Sequence, residues 1–515
     1  MFKKVSKLLG LRQKAFFSTI QKASKQGNNV QGKQYLQFSK KNLTDFGDLP
    51  QGVIPEALNY DLPFELSQLQ NGVRVASEIF KGSNLASITV SVDAGTRYET
   101  LETSGVSQFI AELNQNGTSS RSSEQVQQQI AAFGGRFDVQ VGREQTVYTL
   151  SFESSQLNDA VEFLGDILFN SSYNKNQIEA VRDQIYRNCL ENQKNQQEAT
   201  LEAVHYTSYR DHFISQPTLG IRENIANITE EQIQQFHQTH YIGQNLTIVG
   251  AGDISHDALL QQVERSFGSV SQNSNNMIDI PNKEQPYFTP STLFMRDDEM
   301  TNLNIGVAFE APSANHPDYF AMQLFQRILG EYQADKYTGA HLNASDRQYN
   351  SMHTELGNLP DVTLHKSSYI PYSDTGLFIN YLHGNEVFST QMLYLSQFIL
   401  SEYASYINQV EVTRGKNSLY NELLNETQDS AKLSQNIAQQ IAQIGRRIPR
   451  SEFAKRISHF DTGLLQNTAT RHFWDKELSV VAWGPTHHIQ NFSHYSRPIR
   501  RSTLGWYGSQ HYRII

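Results

Sequence analysis

The sequence predicts an α+β protein made of two homologous halves, and three observations carry that expectation. Segments of one half recur in the other: SITVSVDAG (87–95) is matched by NIGVAFEAP (304–312), each an apolar strand that runs into an acidic residue and a turn. ITEEQIQQFHQTHYIGQNLTIVGAGDISH (228–256) aligns without gaps with FDTGLLQNTATRHFWDKELSVVAWGPTHH (460–488), a helix entry, a helix closing on His plus an aromatic, a buried strand and a Gly turn in the same order. Between the halves runs QNSNNMIDIPNKEQPYFTP, polar, proline-bearing and without hydrophobic period, as a linker reads.

In chain order, 515 residues suit two lobes better than one core. The expected division is 1–45 as presequence and lead-in, 60–271 as the first domain, 272–290 as linker and 291–515 as the second domain. The first 44 residues hold ten Lys or Arg and no acid, with Val5, Leu8, Leu9 and Leu11 interleaved among Lys3, Lys4, Lys7 and Arg12. That pattern reads as a mitochondrial transit peptide, the alternative being a basic tail for nucleic acid or anionic lipid. LPQGVIPEALNYDLPFELSQLQNGVRVASEIF then leads to a first strand around Val73–Ile79. Long amphipathic helices follow, among them NQIEAVRDQIYRNCLENQ (176–193) and VEVTRGKNSLYNELLNE (410–426).

Composition narrows the classes. Without the basic leader, 33 Lys and Arg face 52 Asp and Glu, so nucleic acid or a phospholipid surface is not the expected partner. No apolar run reaches the ~18 residues that cross a bilayer. One cysteine, Cys189, excludes an internal disulfide framework and a thiolate zinc ribbon, and it reads as a plain helix residue. No iron-sulfur or haem-attachment spacing is present, and no cofactor is expected.

GVSQFIAELNQNGTSSRSS (105–123) raises the chemical question. Ser104 and Ser107 are expected to cap a helix on which Gln108, Ala111 and Glu112 share one face at i, i+3 and i+4. This is the spacing of the inverted zinc-peptidase motif, H-x-x-E-H, in which two imidazoles hold the metal and the glutamate acts on its water. Among the histidines, His237 and His240 form H-x-x-H, but His472 stands opposite His240 in the repeat, which points to packing or capping. His487 and His488, as adjacent strand or turn residues, are expected to point apart and not to bind a metal.

NGVRVASEIF, SVDAGTRYE, GVSQFIAELNQNGT, FGGRFDVQVGREQTVYTLSF, ENIANITEEQIQQFHQTHY, VTRGKNSLYNELL and GRRIP together resemble the mitochondrial processing peptidase and core protein family, in the pitrilysin and insulysin superfamily. The similarity runs from about residue 65 to the C-terminus. It is closest to the β-subunit and core protein I branch, because GEYQADKYTGAHLNAS (330–345) lacks the glycine-rich loop of the α branch. The resemblance implies a duplicated metallopeptidase-like fold whose halves enclose a chamber.

The resemblance also places the family's first metal-binding His on Gln108, its general-base Glu on Ala111, its second His on Glu112 and its distant metal-binding Glu on Asn188. All four depart from the catalytic pattern, so no catalytic residue and no metal site is expected. An extended substrate in catalytic relatives pairs with a sheet edge near the strand equivalent to GREQTVYTLSF (142–152), which makes Arg143, Glu144 and Gln145 a possible peptide-binding strand. Otherwise they cap a strand and form surface ion pairs.

The function so implied is that of a non-catalytic core subunit, core protein I-like, of respiratory complex III. It would lie peripherally on the matrix side of the mitochondrial inner membrane. Its partners would be core protein II or an α-type homologue, cytochrome b, cytochrome c1 and the Rieske subunit. The alternative is a non-catalytic, presequence-binding subunit of a heterodimeric processing peptidase. The basic end SRPIRRSTLGWYGSQHYRII (496–515) is read as a subunit contact or a disordered tail.

Overall fold

In the computed structural model the described residues are 44–489, without 83, 211, 274–284, 335–349, 360 and 427. The leader, most of the linker, most of the 330–345 loop and the 496–515 end therefore lie outside the described residues. The first half carries β1 (Phe64–Gln68), β2 (Arg74–Ile79), β3 (Leu85–Val92), β4 (Phe137–Val141), β5 (Thr146–Glu153) and β6 (Leu246–Gly252), in the spatial order β1-β2-β6-β3-β5-β4. The second half carries β7 (Thr292–Arg296), β8 (Leu303–Ala311), β9 (Glu331–Gln333), β10 (Val362–Pro371), β11 (Gly376–Gly384) and β12 (Leu478–Gly484), in the order β7-β12-β8-β11-β10-β9. Five strands correspond one to one, β2-β6-β3-β5-β4 with β7-β12-β8-β11-β10. The single parallel pair, β2 with β6 and β7 with β12, stands at the same place in each. This is a duplicated mixed α/β fold. Each sheet then adds one edge strand of its own.

The first edge strand, β1, was not expected. FELSQ is short and half-exposed, so it lacks the apolar content that marks β2 and β3. The gapless repeat, by contrast, holds in atomic detail. Thr229 accepts a hydrogen bond from the Gln232 amide and Asp461 from the Leu464 amide, each capping a helix that ends on His240 or His472. Gly252 and Gly484 close β6 and β12 with φ of 117° and 130°. A Cβ there would sit 2.6 Å from the Leu85 carbonyl and 2.7 Å from the Asn302 carbonyl, so both positions require glycine.

Each half covers the other's sheet. The helix Gln196–Ser208 of the first half packs on β8 and β12, where Val204 is buried with Ala308, Ile379 and Val481. Gly306 makes the room: a Cβ there would meet Val204 Cγ2 at 2.5 Å. In return the helix Ser430–Ile444 of the second half lies on β3 and β6, burying Leu433, Ile437 and Ile441 against Ala76, Val249 and Ala251. Those three recur every four residues, a stripe along one face, and each buried side chain of this kind stabilises by about 2 kcal/mol. Polar pairs fix the register: Thr89 Oγ1 to Ser434 Oγ and Ser87 Oγ to Ser430 Oγ, both 2.7 Å. The lead-in also crosses over, placing Phe46, Ile54 and Leu58 in the second half's core. Among the described residues no helix is long and apolar enough to cross a membrane.

Candidate functional site

The helix Val106–Leu113 starts on Gly105, which has no side chain to cap it. Ser104 and Ser107 do not take that role. Ser104 Oγ instead accepts the Ile221 amide at 3.2 Å, and the Ser107 amide is a donor. The cap comes from upstream: Glu99 accepts the Gly105 and Ser107 amides at 2.8 Å each. A carboxylate at a helix N-terminus is favoured by the exposed amide dipoles. Burial nonetheless pushes the Glu99 carboxyl up to about 7, the two amides opposing the shift.

The helix brings Gln108 and Glu112 together and buries Ala111 to 2% exposure. Glu112 accepts from Gln108 Nε2 at 3.4 Å and from Gln184 Nε2 at 3.1 Å. Gln184 projects from the neighbouring helix Lys175–Asn192. Asn188, half-buried one turn further along that helix, makes no hydrogen bond to Glu112. Burial raises the Glu112 carboxyl, while both amides pull it back. Sequence reasoning missed Gln184; its signal was the i−4 spacing from Asn188.

These donors do not fit zinc. Both Glu112 oxygens already face amide N–H groups, the other side chains offer only neutral amides, and position 111 supplies a methyl group. Position 111 itself offers no basic atom to take a proton from water, and the one carboxylate of the cluster, Glu112, is engaged by two amides.

Arg143, Glu144 and Gln145 lie in the turn between β4 and β5, not on a strand. The strand that follows them, β5, is paired on both sides, and the sheet's edge is β4. Glu144 is buried. It accepts from Arg97 Nη1 at 2.9 Å, from the Ser373 hydroxyl at 2.6 Å and from the Ser373 amide at 3.1 Å. Arg97 also pairs with Asp374, so the turn is bolted to the second half. Arg143 donates to Glu202 at 2.5 Å and to the Ile214 carbonyl at 3.0 Å, and Gln145 accepts from Ser91. A second buried link joins Arg447 to Glu78 at 3.0 Å and to Glu426 at 3.6 Å.

Between the halves lies a cavity of about 860 Å³, lined among others by Gln140, Val141, Glu144, Tyr319, Glu422 and Glu426. The end of β4 borders it.

The histidines are dispersed. His237 hydrogen-bonds the Leu168 carbonyl at 2.7 Å and stacks on Tyr241, while His240 packs on Phe236. Burial holds both down to about 4, the Leu168 carbonyl opposing it for His237. His472 contacts Asp318 at 3.0 Å. His487 and His488 do not point apart. They lie in a turn beyond β12, where strand alternation no longer applies, and their rings come within 5.4 Å. Cys189 is buried, its thiol pushed up by burial.

Two halves of one topology closed around a cavity, with positions 108, 111 and 112 on a helix beside the one that carries 188, define the duplicated pitrilysin-type class. The matching family models are "Insulinase (Peptidase family M16)" over residues 74–222 and "Peptidase M16 inactive domain" over 227–419. The chain belongs to the insulinase family of peptidases. Mitochondrial-processing peptidase subunit beta of Bos taurus is 31% identical over 82% of this chain and 85% of the relative. Cytochrome b-c1 complex subunit 1 of Mus musculus is 29% identical over 86% and 89%. A chain of complex III2 from Candida albicans, bound to Inz-5, has the same fold with a TM-score of 0.72 at 17% identity, over 84% of this chain and 98% of that one.

Proposed function

We propose that this chain is a non-catalytic core subunit, core protein I-like, of mitochondrial respiratory complex III, lying on the matrix face of the inner membrane. The observation that carries the reading is the donor set of the motif helix. Ala111 stands where the family's general base belongs, and the Glu112 carboxylate is held by the amides of Gln108 and Gln184. A relative named as a subunit of the cytochrome b-c1 complex supports the assembly. Core protein II or an α-type homologue would be its neighbour, with cytochrome b, cytochrome c1 and the Rieske subunit in the same complex. The basic leader supports import.

The cavity favours a second reading, a non-catalytic presequence-binding subunit of a heterodimeric processing peptidase, since relatives carry that name too. Its walls carry both signs of charge, Glu422 and Glu426 beside Lys432, Arg447 and Arg450, and an extended segment could be laid along the edge strand β4. Arg143, Glu144 and Gln145 would then shape the cavity wall from the turn.

Native fractionation of mitochondria in mild detergent separates the two. A core subunit co-migrates with the haems of cytochromes b and c1. Recovery as a haem-free heterodimer that binds presequence peptides would favour the second reading, and chelator-sensitive cleavage by the isolated chain would sink both.

A further inference from the structure

His487 and His488 follow the last strand of the second sheet, and the turn is pinned there by Thr390 Oγ1 donating to the His488 carbonyl. They face Glu386, which opens the short 3-10 turn Glu386–Phe388 after β11. One ligand atom from each of the three side chains lies within 4.8 Å of the others. In a tetrahedral zinc site, with bonds of about 2.0–2.1 Å, ligand atoms stand about 3.4 Å apart, so small rotamer shifts bring these three into range.

Two further features point to a cation. His487 Nε2 approaches Glu386 Oε2 at 3.2 Å, an ion pair only when the imidazole is protonated, and no aligned hydrogen bond reaches that buried oxygen among the described residues, although the Glu386 and His487 side chains are 29% and 43% exposed. A buried carboxylate oxygen without a donor is costly, and a shared cation relieves it. On the other side of the ring, His487 Nδ1 lies 3.5 Å from Asp298 Oδ1. Asp298 is itself held by Arg296 Nε at 2.9–3.0 Å. A metal-binding imidazole characteristically gives its second N–H to such a carboxylate, which fixes the tautomer that turns Nε2 to the metal.

The other cluster of this composition lacks these features. In His316, Asp318 and His472 the carboxylate is taken up on both oxygens by Arg471, and His316 Nδ1 accepts the Asp318 amide.

We propose that Glu386, His487 and His488 bind a divalent transition-metal ion of zinc's kind, with Asp298 orienting His487. Two imidazole nitrogens and one carboxylate oxygen form a donor set that suits zinc, with the fourth position left to water. The site is remote in sequence from the motif helix and independent of the assembly in which the chain works.

The test uses the full, tag-free chain, stripped of metal by a chelator and titrated calorimetrically with zinc chloride, with cobalt(II) as a spectroscopic stand-in. One saturable zinc per chain is expected, together with a visible cobalt spectrum. Both are lost in His488→Ala and in Glu386→Gln. Asp298→Asn weakens zinc about 10- to 100-fold. Gln108→Ala combined with Glu112→Ala leaves the stoichiometry unchanged. The absence of saturable binding, or its survival in His488→Ala with circular dichroism unaltered, overturns the proposal. So does its loss in the motif-helix variant or in His316→Ala.

Discussion

At the residue scale, Glu99 links the motif helix to pH. Its carboxyl titrates near 7 in the folded chain against 4.5 for the free group. Between those values the folded state holds more proton than the unfolded one, so stability falls as pH rises. Glu99's contribution is thus complete below pH 4.5 and is lost as pH climbs through about 7. Glu99→Gln keeps a neutral acceptor but can serve the two amides only in part. It is expected to cost about 1 kcal/mol at pH 5, the scale of a lost cap, and to flatten the decline towards pH 7.5. Urea titrations of both chains at the two pH values check this; parallel slopes would remove Glu99 as the titrating group. Residues 108, 111 and 112 were legible in the sequence because helical periodicity puts i, i+3 and i+4 on one face whatever surrounds them. Glu99 and Gln184 were not. Glu99 reaches the helix across a turn, a relation that no local period encodes, while Gln184 shares a helix face with Asn188 at i−4 but its meeting with Glu112 depends on how two helices pack.

At the scale of elements, the fit of the helix Gln196–Ser208 over β8 turns on one missing methyl group. Gly306→Ala would drive its new Cβ into Val204 Cγ2 at 2.5 Å and is expected to destabilise by about 1–3 kcal/mol. Val204→Ala costs buried contact on its own, but in the Gly306→Ala background it clears the collision. The two changes should therefore be strongly non-additive in a thermal or denaturant double-mutant cycle. Additive losses would mean that the helix does not sit on Gly306 as described. The amphipathic stripe on Ser430–Ile444 told only that one face is buried. It could not name the sheet that buries it, because spacing along a helix carries no information about partners far away in the chain, here in β3 and β6 of the other half. The same limit hid the sheet's edge. β5 reads as the stronger strand, and an edge position belongs to the pairing order and not to the strand's own residues. The repeat was legible because 228–256 and 460–488 spell the same succession of cap, helix, strand and glycine.

For the whole molecule, the exchange of helices and the buried links of Arg97 with Glu144 and Asp374, and of Arg447 with Glu78, make two hydrophobic cores depend on each other. Calorimetric unfolding is expected as one transition, with the calorimetric and van't Hoff enthalpies close to equal, despite a length typical of two domains. A chain ending at residue 271 is expected to remain unfolded or to aggregate, since β6 would present Val249 and Ala251 to water where Ile437 and Ile441 now lie. Two separated transitions, or a folded monomeric fragment, would contradict this. The traded helices also bear on ancestry. A doubled gene ordinarily leaves each copy free to drift, be deleted or be joined to something else. Here each copy keeps part of what completes its twin, so descent has converted a symmetrical pair into a single heritable object that cannot be divided.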